Sequence, residues 1–325
     1  MKLSIKPESF RLAQAFTISR GSRTEANVLT VQLEQAGARG FGECVPYPRY
    51  GETMESVTAQ LESVRNKLLD GMTRAELQNE LPPGTARNGV DCALWDIEAK
   101  LAGTTVWKLA GIGEPEPITT CYTLSLDSPE KMKTAALAHQ HMPVLKLKLG
   151  GNGDIERLEA VRAGAPNSKL VVDANEGWSV SDYNELAPFM NKLGVAMVEQ
   201  PMPAGSDSEL LQLTRTLPVC ADESCHDRHS LADLKGKYDF INIKLDKTGG
   251  LTEALALKQS ALDAGFRIMV GCMVSTSLAM APAMLVAQGA EIVDLDGPLL
   301  LAEDRDSPIT FDGASMLPPS ANLWG

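Results

Sequence analysis

Residues 144–149 read Val144-Leu145-Lys146-Leu147-Lys148-Leu149, so leucine alternates with lysine over five consecutive positions. Side chains on a β-strand point alternately to opposite faces, so the two lysines share one face and the leucines share the other. We expect the leucines to pack against helices, which directs Lys146 and Lys148 toward a common interior. Because lysine is rarely buried without a reason, this run predicts a functional site as well as a strand.

The same unit repeats from about Ile118 onward: a short β-branched run, a polar turn and an amphipathic stretch. The eight strand candidates are residues 118–126, 144–149, 170–175, 196–200, 219–223, 240–246, 267–272 and 292–296. Helical patterns lie between most of them, at residues 154–163, 181–192, 208–216 and 251–264. Parallel strands need crossover connections, so the alternation predicts an α/β fold, a (β/α)8-type (TIM-like) barrel over residues 116–300.

The first 115 residues follow a different pattern. Alternating runs at residues 28–33 and 40–45 flank a polar turn and predict a hairpin. Helical stretches at residues 54–69, 74–80 and 86–101 follow it. Strands followed by helices predict a separate α+β domain over residues 1–115. We expect the Pro- and Ser-rich tail, residues 301–325, to return toward this domain.

Composition narrows the classes of partner. The 325-residue chain carries a net charge of −12 and no Lys/Arg cluster that would displace counterions from a duplex, which argues against nucleic acid. It shows no signal sequence and no bilayer-spanning apolar run, so we expect a cytoplasmic protein without a membrane partner. The six cysteines are scattered and the four histidines form no zinc motif. Whether the chain forms a homo-oligomer is left open.

Three consecutive strand candidates each end in a carboxylate, namely Asp173, Glu199 and Asp222. In a barrel of this type the C-terminal strand ends meet at the active-site face. Three acids at one level repel each other unless a cation neutralises them, and oxygen ligands suit Mg²⁺ better than Zn²⁺. Any one of these acids alone is equally typical of a helix N-cap; the set predicts a Mg²⁺ site.

A lysine also ends the sixth strand candidate. Lys244 lies there, and the second and sixth strands stand opposite each other in an eight-strand ring. Lys148 and Lys244 would therefore face each other across the cavity, with Lys146 tuning or orienting Lys148. One lysine would remove a proton next to a carboxylate and the other would return one to the opposite face. The enediolate between these steps carries charge that a bound cation stabilises.

These residues together resemble the enolase superfamily, in particular its muconate-lactonising-enzyme subgroup. The matching pieces are Lys146-Leu147-Lys148, Asp173-Ala174-Asn175, Glu199-Gln200-Pro201, Asp222-Glu223-Ser224 and Asn242-Ile243-Lys244 with Gly249-Gly250. The resemblance covers essentially the whole chain. It implies that residues 1–115 cap the barrel and that Mg²⁺ binds at the three acids.

Asp294 and Asp296 restrict the class of substrate that the site could bind. They face the same way at the end of the eighth strand candidate, and two carboxylates remote from the metal suit a substrate ammonium. The pair resembles the D-x-D motif of dipeptide epimerases. By the same resemblance, Arg23 matches a position that binds a glutamyl carboxylate in such enzymes. The same resemblance suggests further substrate contacts from Thr123, Tyr50, Cys272, Met273 and Ser275.

The resulting hypothesis is an isomerase that inverts the α-carbon of the C-terminal residue of an acidic dipeptide, L-Ala-D-Glu or L-Ala-L-Glu, which in a bacterium would serve recycling of cell-wall peptide. Two alternatives stay open. One is a lyase or cycloisomerase on the same site, such as o-succinylbenzoate synthase, which would leave Asp294 and Asp296 unexplained. The other is a non-catalytic barrel that binds a ligand, which the complete set of acids and lysines opposes.

Overall fold

The computed structural model describes residues 1–325. An antiparallel three-stranded sheet begins the chain, formed by β1 (Lys2–Ile18), β2 (Gly21–Gln35) and β3 (Ala38–Cys44). The predicted hairpin is confirmed: Ala36 and Gly37 connect its strands with φ of 50° and 83°, as two-residue hairpin turns require. The edge strand β1 was not predicted, because most of its side chains are exposed and its few buried residues follow no regular alternation.

Helices cover one face of this sheet. They are α1 (Met54–Ser63), α2 (Arg65–Leu69), α3 (Arg74–Glu80), α4 (Thr85–Leu101) and α5 (Val106–Leu109). The close approach of α4 to β3 depends on Gly40 and Gly42, because a Cβ atom at these positions would lie 2.4 Å from Ala93 O and 2.2 Å from Gly89 O. The predicted helix at residues 54–69 is two helices, with Val64 between them.

After the short strand β4 (Ile118–Thr119), eight parallel strands form the barrel. They are β5 (Tyr122–Leu124), β6 (Val144–Lys148), β7 (Lys169–Asp173), β8 (Val195–Glu199), β9 (Val219–Ala221), β10 (Phe240–Ile243), β11 (Arg267–Gly271) and β12 (Ile292–Asp294). They are hydrogen-bonded in sequence order, and a bond from Cys121 N to Val293 O (2.8 Å) joins the first edge to the last. The predicted barrel class is therefore confirmed.

The helices between these strands are α6 (Pro129–Ala138), α7 (Asp154–Gly164), α8 (Val180–Lys192), α9 (Leu231–Leu234), α10 (Leu245–Thr248), α11 (Leu251–Asp263) and α12 (Ser277–Ala287). Three predictions were wrong. The strand predicted at residues 118–126 is interrupted: β4 belongs to a separate small sheet, and the barrel strand β5 covers only Tyr122–Leu124. Residues 208–216 form only a 3₁₀ turn, Ser208–Leu211. The strand predicted at residues 240–246 ends at Ile243, and Asp246 lies on α10.

Two layers of side chains fill the barrel interior. The lower layer is apolar and consists of Cys121, Val171, Met197, Cys220, Phe240, Met269 and Ile292. Two residues further along most strands, on the same face, polar and charged side chains follow. Leu145, Leu147 and Leu149 point outward into the core shared with the helices, as the alternation predicted. The apolar layer thus closes the floor beneath a polar mouth.

The end of the chain contacts the first domain. Strands β13 (Phe311–Asp312) and β14 (Ser315–Met316) form a small sheet with β4. Farther on, Trp324 Nε1 donates to Cys92 O at 3.1 Å and Gly325 N to Asp96 Oδ1 at 2.8 Å, both on α4. All six cysteines are free thiols, and no helix combines the length and hydropathy needed to cross a bilayer.

Candidate active site

Strand register brings the predicted acids to one end of the barrel. Lys148 pairs with Asp173 across β6 and β7, and Asp173 pairs with Glu199 across β7 and β8. Glu199 in turn pairs with Cys220, and Asp222 lies two residues farther along the same face. All three carboxylates are almost completely buried, between 0% and 2% exposed. The structure therefore groups Asp173, Glu199 and Asp222 as the spacing predicted.

Lys146 forms the centre of this acidic group. Its ammonium lies 3.1 Å from Asp173 Oδ2, 2.6 Å from Glu199 Oε2 and 2.7 Å from Asp294 Oδ2. Lys148 Nζ lies 2.5 Å from Asp173 Oδ2. Both lysines line the cavity, and the side chain of Lys146 is 1% exposed and that of Lys148 is 9% exposed.

Two lysines that follow the neighbouring strand, β10, bind the third acid. Lys244 Nζ lies 2.7 Å from Asp222 Oδ2 and Lys247 Nζ lies 2.6 Å from Asp222 Oδ1. Lys247 also donates to Asp222 O at 2.5 Å and to Asn242 O at 2.9 Å, so its three protons are all used. Sequence reasoning missed Lys247. The strand was predicted to continue through residue 246, whereas Lys247 lies on the short helix α10 that begins at Leu245.

Glycine provides the space around Lys244. A Cβ atom on Gly271 would lie 2.7 Å from Asn242 Oδ1 and 3.1 Å from Lys244 Cε. Asn242 uses that space to donate from Nδ2 to Glu199 Oε1 at 2.7 Å. Since β6 and β10 are four strands apart in a ring of eight, Lys148 and Lys244 approach the cavity from opposite sides.

Burial and charge shift the pKa values of these groups in opposite directions. Burial lowers the pKa of Lys146, but Asp294, Glu199 and Asp173 together raise it well above its ordinary value. Burial likewise lowers and Asp222 raises the pKa of Lys244, with a net rise. Burial and the neighbouring Asp173 raise the pKa of Glu199 to about 7. Burial is the largest cause of that rise; Asp173 and Asp222 add to it, while Lys146 and Lys244 oppose it.

The donor set fits a hard divalent cation. In the structure the acids pair with lysines, and no three His, Cys, Asp or Glu side chains form a metal-binding group. Glu199 Oε2 and Asn242 Oδ1 are nevertheless buried and accept no hydrogen bond. Lys146 Nζ lies 2.6 Å from Glu199 Oε2 but outside hydrogen-bond geometry. Buried oxygens without a donor, within an all-oxygen group of three carboxylates, are what Mg²⁺ binds.

Thr123 links the strand-end aspartates to the first barrel strand. Thr123 N donates to Asp296 Oδ2 at 2.6 Å and its hydroxyl donates to Asp294 Oδ1 at 3.3 Å. Burial and the adjacent Asp294 raise the pKa of Asp296 to about 7. Asp294 is paired with Lys146, but Asp296 makes no ion pair, so this pair of aspartates retains unneutralised negative charge at the cavity wall.

Two arginines of the first domain reach the same cavity and differ in their partners. Arg20 ion-pairs with Glu223 at 2.8 Å and Glu176 at 3.2 Å, and it also donates to Asn175 O and to the Tyr47 hydroxyl. Arg23 makes no hydrogen bond or ion pair, and its guanidinium lies 5.7 Å from the Phe16 ring centre. Burial lowers the pKa of Arg23. Arg23 is therefore a partly buried cation without an anion.

The remaining predicted contacts divide into two groups. Tyr50, Cys272 and Met273 line the cavity with Arg23 and Thr123. Ser275 does not: it is 1% exposed and its hydroxyl donates to Met273 O at 2.8 Å. The resemblance suggested a substrate contact for Ser275, but the strand ends at Gly271 and the following loop buries this side chain.

Gln200 is another residue that the sequence reasoning did not assign. Its amide oxygen accepts from Asp222 N at 2.8 Å and Ser224 N at 3.1 Å, and its amide nitrogen donates to Tyr238 among others. Its φ is 35°, an unusual value for a non-glycine residue. Gln200 thus ties the end of β8 to the loop that carries Asp222, and this network accounts for the strained backbone.

Comparison with known families extends over nearly the whole chain. The family described as "Mandelate racemase / muconate lactonizing enzyme, N-terminal domain" matches residues 1–111, and the one described as "Enolase C-terminal domain-like" matches residues 130–320. The chain is 46% identical to an L-Ala-D/L-Glu epimerase of Escherichia coli, over 94% of this chain and 95% of that protein. It is also 44% identical to an N-acetyl-D-glutamate racemase of Pseudoalteromonas, over 88% and 91%.

Solved structures agree with this relationship. An enolase family member from Agrobacterium tumefaciens, described as homologous to dipeptide epimerases and bound to sodium and L-Ala-L-Glu, superimposes with a TM-score of 0.98 at 49% identity, over 99% of both chains. A dipeptide epimerase from Cytophaga hutchinsonii, complexed with Mg and D-Ala-L-Val, superimposes with a TM-score of 0.91 at 26% identity, over 98% of this chain and 92% of that one.

Proposed function

The chain belongs to the mandelate racemase/muconate lactonizing enzyme family of the enolase superfamily, and from that membership we propose that it is a Mg²⁺-dependent dipeptide epimerase acting on L-Ala-D-Glu and L-Ala-L-Glu. The observation that carries the choice of an acidic dipeptide is the unpaired guanidinium of Arg23, in the same cavity as Asp294 and Asp296. The substrate has one ammonium and two carboxylates. The aspartates suit the ammonium and Arg23 suits the side-chain carboxylate.

Lys148 and Lys244 would exchange the α-proton of the glutamyl residue. Because they approach the cavity from opposite sides, one accepts the proton from one face of the α-carbon and the other donates a proton to the opposite face. The substrate passes through an enediolate between these two steps. Buried Lys146, which lies between Glu199 and Asp294, would orient the acids and supply positive charge without exchanging protons itself.

Asp173, Glu199 and Asp222 would hold Mg²⁺, and Lys247 and Gln200 would fix the position of Asp222. Bound Mg²⁺ supplies positive charge beside the substrate α-carboxylate, which stabilises the enediolate more than the ground state. Phe16 and Tyr50 line the cavity and would limit the access of water to the reacting carbon. The proposal includes a cytoplasmic location; light scattering of the purified protein would establish whether it forms a homo-oligomer.

A second candidate follows from the racemase relative, whose N-acetylated substrate carries no ammonium. Asp296, whose pKa is raised to about 7, is partly protonated at neutral pH and would then donate to an acyl carbonyl. The two candidates share the lysines, the acids and Arg23. They differ only in what Asp294 and Asp296 contact.

The test is solvent exchange at the α-carbon. Purified enzyme with Mg²⁺ in deuterated water is given L-Ala-L-Glu or N-acetyl-L-glutamate, and ¹H NMR follows the α-proton and the second stereoisomer. We expect rapid exchange and epimerisation of the dipeptide, abolished by a chelator. Faster exchange of N-acetyl-L-glutamate would favour the second candidate, and no exchange of either compound would refute both.

A further inference from the structure

Arg305, in the tail beyond the barrel, is the centre of a partly buried polar cluster outside the cavity that the lysines line. Its guanidinium donates to Glu43 Oε2 at 2.5 and 3.0 Å and to Thr276 Oγ1 at 2.8 Å. It also donates to Thr30 Oγ1 at 2.8 Å and to Glu8 Oε2 at 3.1 Å. The cluster joins three distant parts of the chain: the first-domain sheet, the start of α12 and the tail.

Glu43 carries the connection from Arg305 to the barrel. Only 2% of this residue is exposed, and its carboxylate accepts from both Thr276 N (2.8 Å) and the Thr276 hydroxyl. The next residue, Ser277, donates from N to Asp304 Oδ1 at 3.1 Å. Two acids, one from the first domain and one from the tail, thus bind the first backbone N–H groups of α12, and Arg305 neutralises one of them.

The segment that these contacts anchor is the wall loop, residues 272–275, between β11 and α12. Cys272, Met273 and Val274 line the cavity. Met273 packs against Val28 and Val45 of the first domain. On the other side the loop has no free space, because a Cβ atom on Gly297 would lie 3.0 Å from Ser275 O. The wall loop is therefore wedged at its middle and fixed at its end by Thr276.

We infer that Arg305 is a positioning residue that sets the shape of the subsite for the amino-terminal residue of the substrate, through Glu43 and Thr276. The inference rests on the proposed dipeptide epimerase function, because it concerns the cavity wall beside Asp294 and Asp296, which that function assigns to the substrate amino group. Without Arg305, Glu43 would be a buried carboxylate lacking its cation, and such a group moves toward water. Thr276 would then lose its partner and the wall loop would be free to shift.

The expected consequence is a loss of discrimination at the amino-terminal residue. In Arg305→Met, the ratio of kcat/KM for L-Ala-L-Glu to that for L-Leu-L-Glu should fall about tenfold, with most of the change in KM, because a hydrophobic pocket of defined size discriminates by about this factor per methylene group or more. Arg305→Lys should restore part of the ratio. The double variant Arg305→Met/Glu43→Gln removes both charges, so it leaves no buried carboxylate without a cation. It can therefore be measured if the single variant fails to fold.

The matched control is Arg267→Met, which breaks an exposed ion pair with Glu291 on another face of the barrel. Hydrogen exchange of residues 272–278, measured on the full chain with Mg²⁺, provides a readout independent of turnover. We expect faster exchange in Arg305→Met and not in Arg267→Met. Unchanged exchange and an unchanged selectivity ratio, even with a lower melting temperature, would overturn the inference. Absence of α-proton exchange in the dipeptide with the unmodified enzyme would instead refute the proposed function. The hydrogen-exchange comparison would still show whether Arg305 holds the wall loop in place.

Discussion

Lys146 Nζ lies 2.7 Å from Asp294 Oδ2, so the lysine nearest the acid cluster also neutralises one of the two aspartates expected at the substrate amino group. Asp296 pairs with no cation, so it is the aspartate of the two that is free to bind the single ammonium of the substrate. The same lysine contacts Asp173 and Glu199. Charge at the proposed metal site and charge at the amino-group subsite are thus linked through one side chain.

The lack of a cation beside Asp296 predicts the effect of replacing this aspartate. Asp296→Asn should lower kcat/KM for L-Ala-L-Glu by about 10- to 100-fold, since hydrogen bonds to charged groups contribute about 1.5–3 kcal/mol. Activity toward N-acetyl-L-glutamate should change far less. Steady-state kinetics with both substrates measures this, and Asp127→Asn, at an exposed acid, is the control. Equal losses with both substrates would contradict the assignment.

Arg23 is predicted to recognise the side-chain carboxylate. Arg23→Met should reduce kcat/KM for L-Ala-L-Glu by about 10- to 100-fold through the loss of a charged contact, and should leave L-Ala-L-Gln nearly unaffected. The ratio of the two specificity constants is the measurement. Arg49→Met, at an arginine already paired with Glu176, is the comparison variant. A ratio that does not move would remove Arg23 from the substrate site.

The two lysines should act on different epimers. Lys148→Ala and Lys244→Ala should each lower epimerisation by about 10²- to 10⁴-fold, the range typical of a lost acid–base group. Each variant should still exchange the α-proton of one epimer, and the favoured epimer should differ between the two. Deuterium incorporation into L-Ala-L-Glu and L-Ala-D-Glu measures this. Lys67→Ala, at an exposed lysine, should behave like the unmodified enzyme, and the same preserved epimer in both active-site variants would contradict the opposed geometry.

The acid trio predicts a stabilisation by Mg²⁺ that depends on Glu199. Mg²⁺ at about one hundred times its Kd should stabilise the protein by roughly 2.7 kcal/mol, because it binds the folded state. Glu199→Gln should abolish most of the Mg²⁺-induced rise in melting temperature. Glu176→Gln, at an acid paired with arginines, should retain it. The rise is measured by scanning calorimetry, and a full rise in Glu199→Gln would place the ion elsewhere.

Asp246 predicts a pH dependence of stability. Burial raises the pKa of this carboxyl to about 7, although Val45 N and Asn88 Nδ2 donate to it. The folded chain therefore binds more protons than the unfolded chain between about pH 4 and pH 7, and the free energy of unfolding falls as pH rises through that window. The slope from this group is on the order of 1 kcal/mol per pH unit.

Asp246→Asn keeps the accepting oxygen and removes the titration. Its free energy of unfolding should exceed that of the unmodified chain at pH 8, with the difference shrinking toward pH 5. Urea unfolding at several pH values measures both proteins. Parallel pH profiles would show that Asp246 ionises in the folded protein as it does in water.

The sequence by itself determined the barrel, the end of it that carries the site, and the acids and lysines that meet there. These features depend on local rules: strand alternation separates lysines from leucines, and spacing places Asp173, Glu199 and Asp222 at successive strand ends. The edge strand β1 escaped prediction because only three of its residues are buried and their spacing follows no regular alternation.

Only the tertiary structure decided which charges pair. Lys146 contacts Asp294, 148 residues away, because the barrel closes on itself. Lys247 contacts Asp222 because β10 ends at Ile243, before the predicted end of the strand at residue 246. Arg20 and Arg23 are three residues apart, yet Glu176 and Glu223 neutralise one and leave the other free. Such pairings depend on the distances between side chains from separate loops, and local sequence patterns do not encode those distances.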